Sequence, residues 1–273
     1  PPSRDTLSTP PACSPWKRFA EFCTAMGGEI GLLRVLGTGR DETFRMKVVS
    51  QLLWYFINPH AEHGLGATLL KELLHDTSSS WQAIDQALLD SLGCYPGIPD
   101  LDIEVTGTEG DRFLVFLRYE TALFIIGLQA RLPGLPPADL VEDMVGWSSL
   151  LADSPCWFSS TDISEITRTH RAVVFVGPTM RDGRGIEGSL AYTAARANID
   201  FLHFIAWRKS GGRDTDESRS VEELLETVME HVARGYSAEA TYQTGELLRR
   251  LRQAVATSFR FDVQKVKCSG SGS

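Results

Sequence analysis

The sequence predicts a helix-dominated α/β protein, with about nine helices around a small mixed sheet. Three patterns carry that expectation. Much of the chain places apolar residues at helical spacing, as at Phe44, Val48, Leu52 and Phe56. Residues 101–105 and 112–117 are apolar runs joined by the turn-rich link 106–111, which reads as a β-hairpin near 101–117. Residues 172–176 form a short apolar strand, followed by a loop carrying Gly177, Gly183, Gly185 and Gly188 and then by an amphipathic stretch.

Taken in order, residues 1–14 are rich in Pro and Ser and read as a flexible segment. Ser14 and Pro15 suit the start of a first helix with Phe19, Phe22 and Met26 on one face. A second helix spans about 40–57, opening on Asp41 and Glu42 and stopping at Asn58-Pro59. Helices follow at Leu65–His75 and Trp81–Leu92, the latter with Ser79 and Gln82 in a capping-box pattern. After the hairpin, Leu, Ala and Gln content favours a helix over Tyr119–Leu132. Pro133-Gly134-Leu135-Pro136-Pro137 is the strongest break and a possible subdomain boundary within a single globular domain, 15–268. Further helices are expected at 138–152, at 161–170 and from 186 through the residues near 208. Ser220 with Glu223 forms a capping box for a helix ending at Gly235, and a last helix covers 238–257. Phe259, Phe261 and Val263 alternate as a C-terminal strand over 259–266, and 269–273 reads as an engineered linker.

Composition narrows the class. The chain of 273 residues is 42% hydrophobic and 23% charged, ordinary for a globular protein. A net charge of −8 argues against general nucleic-acid binding, which rests on neutralising phosphates. Five scattered cysteines suggest free thiols in a reducing, intracellular compartment, and no apolar run is long enough for a membrane span. The six tryptophans are widely dispersed and read as core anchors of successive elements.

The chemistry-bearing candidates centre on the glycine-rich loop. Arg181, Asp182, Gly183, Arg184, Gly185 and Glu187 are expected to form an anion site, because helix-start N–H groups and two guanidiniums can hold a phosphate or carboxylate. Gly183-x-Gly185-x-x-Gly188 matches the dinucleotide pattern only literally, since six residues separate it from the strand. His60 and His63 flank Glu62, but the neighbouring Pro and Gly residues put them in a loop, so no metal is assigned. Cys156 with His170 is the one thiol–imidazole candidate; a small buried Cys is its default reading. His203 is expected inside the long helix, where Arg196 and Asp200 would be i,i+4 partners. The stretch opening at Leu36-Gly37-Thr38-Gly39-Arg40-Asp41 resembles the Gly-Arg-Asp-Lys start of peroxisomal membrane-elongation peroxins. Glu42 stands in place of that lysine and strands follow, so nothing is carried over from it.

Two functions from different classes follow. The first is a non-catalytic interaction or regulatory module, whose helix faces on 40–57 or 238–257 dock a protein partner or a second copy. The alternative is an enzyme or ligand-binding protein that recognises a phosphorylated or carboxylated small molecule at 177–188. No cofactor is implied by any motif.

Overall fold

The computed structural model describes residues 42–107, 112–131, 137–153, 165–177, 197–208, 219–235 and 242–258. Among them are six helices and five strands. The helices are α1 (Glu42–Ile57), α2 (Thr68–Ser78), α3 (Gln86–Gly93), α4 (Pro137–Asp153), α5 (Val221–Ala233) and α6 (Tyr242–Ser258). The strands are β1 (Leu101–Gly107), β2 (Arg112–Tyr119), β3 (Ala122–Ala130), β4 (Arg168–Val176) and β5 (Phe201–Ile205), hydrogen-bonded in the order β1-β2-β3-β4-β5. The first three run antiparallel, and β3, β4 and β5 run parallel. The α/β class stands, but the expected nine helices do not.

Three expected helices explain the difference. Residues 119–132 hold β3, not a helix. Every residue of β3 from Leu123 to Ala130 is buried, because helices cover both faces of this central strand. Burial on both faces erases the alternation that marks a strand and leaves a continuous apolar run. Residues 168–170, expected as a helix end, begin β4, which pairs with β3 from Ala122↔Arg168 to Ala130↔Val176. Of the helix expected from 186 to about 208, residues 186–196 lie outside the described residues, while 197–198 form a turn and 201–205 form β5. Phe201 pairs with Ala172 and Ile205 with Val176, and this ladder outweighs the local helical spacing. The first helix and the 259–266 strand lie outside the described residues.

The apolar faces assemble two cores. On one side of the sheet, α1, α2, α3, α5 and α6 pack on Phe113, Val115, Leu117, Phe124, Ile126 and Val174. On the other, Leu140, Met144, Trp147 and Leu151 of α4 pack on Leu114, Phe116, Ile125, Val173 and Phe175. The spacing of those four α4 residues is one helical face. Gly127 makes room for Trp147, since a Cβ there would lie 2.6 Å from the indole ring. Trp54, Trp81, Trp147 and Trp207 are all buried, as the dispersed-anchor reading expects.

Local signals set several boundaries. Ser220 accepts from Glu223 N and the Glu223 carboxylate accepts from Ser220 N, the expected capping box. Helix α3 instead starts at Gln86, capped by Asp85, whose carboxylate accepts from Leu88 N at 2.8 Å. Ser79 therefore lies before the helix and does not cap it.

Candidate functional site

Parallel strands deliver their carboxyl ends to one edge of the sheet, where ligands of open α/β sheets commonly bind. Here that edge gathers the ends of β3, β4 and β5 together with Arg112, which begins the antiparallel β2. Arg131 follows β3, and its N–H donates to Val176 O at 2.7 Å. Gly177 follows β4 and donates to Ile205 O at 2.8 Å, while the Trp207 indole donates to Arg131 O at 2.9 Å. The three strand ends are thus tied to one another through their backbones. Gly177 has φ of +123°, a conformation that a side chain would strain.

Asp143 of α4 lies beneath this edge with its side chain only 10% exposed. Its carboxylate pairs with Arg131 Nη2 through Oδ2 and accepts from Arg112 Nη2 at 3.2 Å through Oδ1. Arg112 also covers the Trp147 ring at 5.6 Å, and the Trp147 indole donates to Gln129 Oε1 at 2.7 Å. Two guanidiniums therefore meet on one carboxylate. Arg131 is the more enclosed of the two, its side chain 15% exposed, and its Nη1 is buried without a hydrogen-bond partner. A buried donor of this kind is costly unless an acceptor reaches it.

The residues expected to form the anion loop, Arg181, Asp182, Gly183, Arg184, Gly185 and Glu187, lie outside the described residues, as do Cys156 and Arg196. What is described is the strand that carries the chain to Gly177. Arg112, Arg131 and Asp143 were not visible as a group in the sequence. Only the strand register and α4 bring them together, and the one local sign is an arginine placed just before the Pro-Gly break.

The remaining candidates are placed elsewhere. His203 is in β5, not a helix, and its Nε2 lies 3.4 Å from Asp76 Oδ2. Asp76 also accepts from Arg219 N at 2.9 Å and from Arg219 Nε at 3.4 Å, while Arg219 Nη1 donates to Glu72 Oε2 at 2.8 Å. Burial of Asp76 works against its charged form. Hydrogen bonds from His203 and the Arg219 backbone, with both cations nearby, nevertheless hold its pKa below the ordinary carboxylate value. Asp200 lies in the irregular segment before β5 and accepts from Arg171 N at 2.7 Å, so it is not on a helix; its expected partner Arg196 lies outside the described residues.

His60 and His63 do not converge. His60 Nε2 lies 2.6 Å from Ile103 O, whereas His63 Nε2 lies 2.9 Å from Asn58 O. Leu65 N donates to His63 Nδ1 at 2.9 Å, so Nδ1 is an acceptor and Nε2 carries the proton of a neutral ring. Burial, opposed by two backbone hydrogen bonds, lowers the His63 pKa to about 4 from 6.5. Protonation would also break the bond from Leu65 N. Because the folded pKa is depressed, the stabilising neutral form is complete above pH 6.5 and its contribution is lost as the pH falls toward 4. At pH 5 the loss is about 2 kcal/mol. Urea unfolding at pH 7.5 and pH 5 should show this drop in the wild type and a flatter response in His63→Gln. An equal drop in both would assign the acid sensitivity elsewhere.

Among the described residues no group of three His, Cys, Asp or Glu side chains is arranged to hold a metal, and no helix is long and apolar enough to cross a membrane. No protein-family model, curated protein or solved structure matches the chain.

Proposed function

We propose that this protein binds a small anionic molecule, phosphorylated or carboxylated, at the carboxyl edge of β3, β4 and β5. One observation carries the reading: Arg131 is buried there with an unpartnered Nη1 beside a strand end at Gly177. A guanidinium fork is suited to two acceptor oxygens, and Arg112 stands beside it on the same carboxylate. In this reading Arg184 and Arg181, which follow Gly177 in the chain, supply further cations.

The alternative of a helix-face interaction module has less support. The apolar residues of α1 from Val48 onward, and Leu248, Leu251 and Val255 of α6, belong to the core. Among the described residues, the large hydrophobic side chains left exposed are Val145 and Tyr242, on different helices.

A thermal-shift titration with inorganic phosphate, pyrophosphate and citrate, at constant ionic strength, tests the proposal. A ligand at tenfold its Kd adds about 1.4 kcal/mol, which raises Tm by roughly 3–6 °C for a chain of this size. The shift should disappear in Arg184→Ala and shrink in Arg131→Lys, which keeps the charge on Asp143 but removes the fork. A flat response to all three anions would overturn the reading.

A further inference from the structure

At the opposite edge of the sheet, the amino ends of β3 and β4 and the segment leading into α3 enclose a cleft of about 440 Å³. That volume lies within the range of small-molecule sites. Arg168 and His170 line it. They stand two apart on β4, opposite Ala122 and Phe124 of β3, and so share one face of the sheet.

The His170 ring is held by its neighbours. It stacks on Phe124 with centroids 5.0 Å apart and planes at 26°, and it meets the edge of Trp81 at 6.5 Å. Its position is set by packing, which leaves its polar atoms uncommitted. Among the described residues neither the His170 nitrogens nor the Arg168 guanidinium has a hydrogen-bond or ion-pair partner. Two adjacent nitrogen groups capable of donating therefore face the same space unspent.

Asp85 and Glu120 also line the cleft, and both are exposed to water, as is Arg168. Asp85 is committed to the cap of α3 through Leu88 N. Glu120 sits exposed at the tip of the β2–β3 turn with φ of +52°, where water screens its charge. The rest of the wall is mixed: Gln82 and Thr121 are polar, while Ala83, Leu88, Tyr119, Ala122 and Phe124 form an apolar or aromatic part.

We infer that this cleft binds a small carboxylic acid with a ring-bearing apolar body. The carboxylate is received by the Arg168 fork and a His170 N–H, and the ring lies against Tyr119 and Leu88. The carboxylate is the favoured anion because the space pairs two donors with a partly apolar wall, which suits one charged end on a hydrophobic body. This site lies at the far edge of the sheet from Arg131 and does not depend on the anion reading there.

Benzoate is the probe. Titrated into the 13C-His-labelled protein, it should shift the His170 imidazole resonance saturably. Benzamide, the uncharged isostere, should bind at least about tenfold more weakly, the cost of losing one charge-assisted contact. Arg168→Gln should weaken benzoate to a similar degree, and Arg131→Lys should leave it unchanged. His170→Phe keeps the stack and removes the donors; followed through the indole signal of Trp81, it should also bind more weakly. The inference is overturned if benzoate produces no saturable shift in the wild type. Equal affinity for benzamide, or undiminished binding by folded Arg168→Gln, would overturn it as well.

Discussion

Gly177→Ala is expected to destabilise the protein by about 2–5 kcal/mol. Two costs add. An alanine held at positive φ costs roughly 1–2 kcal/mol, and forcing extra volume into a packed site costs another ~1–3 kcal/mol. The second cost is unavoidable here. A Cβ at Gly177 (φ +123°) would fall inside the Arg131 carbonyl oxygen and would crowd the Trp207 indole nitrogen at 2.9 Å. A backbone carbonyl cannot swing aside as a side-chain end can, and this one already accepts from Trp207. Urea unfolding should show a lower midpoint at unchanged slope. A loss below about 1 kcal/mol would mean that the strand ends at this edge can separate, and the anion reading would lose its rigid platform.

The second large effect is expected at Asp76. Its side chain is 5% exposed and faces His203, itself 4% exposed, and Arg219. Removing its carboxylate takes an acceptor from the buried His203 ring and from Arg219 N, together about 2–6 kcal/mol, while the Arg219 guanidinium keeps Glu72. Asp76→Ala should therefore lose about that much, while Asp76→Asn should lose less, since an amide oxygen can still accept from Arg219 N. The native pair is also a pH-dependent link between α2 and the start of α5. With its pKa depressed, Asp76 contributes stability above the unfolded carboxylate value, and this is lost as the pH falls through the folded value. Chemical denaturation of both variants at neutral pH measures the difference. If Asp76→Ala and Asp76→Asn lose the same small amount, the network is solvated and does not tie the two helices together.

Legibility along the chain followed whether a segment has one exposed face. Helix α5 was readable from Ser220 and Glu223, because a capping box is a contact between residues three apart. Helix α4 was readable from apolar spacing, since Leu140, Met144, Trp147 and Leu151 present one face to the core. The hairpin β1–β2 was readable because β1 keeps the alternation of an edge strand, with Leu101 and Ile103 buried and Asp102 and Glu104 less so. Segment 122–130 failed for the opposite reason, being covered on both sides. Segment 201–205 failed because five residues carry too little period, and only the ladder to β4 makes them a strand.

The same division runs through the candidate sites. The sequence pointed to the chain beyond Gly177 because glycines between a strand and a helix are a local pattern. It could not reveal that Arg112, Arg131 and Asp143 meet, or that Arg168 and His170 face a cleft with Tyr119. Those groups come from different elements, and their meeting depends on strand register and on which face each helix covers. By itself the sequence determined the α/β class, the Ser220–Glu223 capping box and the apolar faces, all set by interactions within a few residues. Strand order, the two-sided core and both constellations of charged groups were decided only by the tertiary structure, because pairing and burial act between segments far apart in the chain.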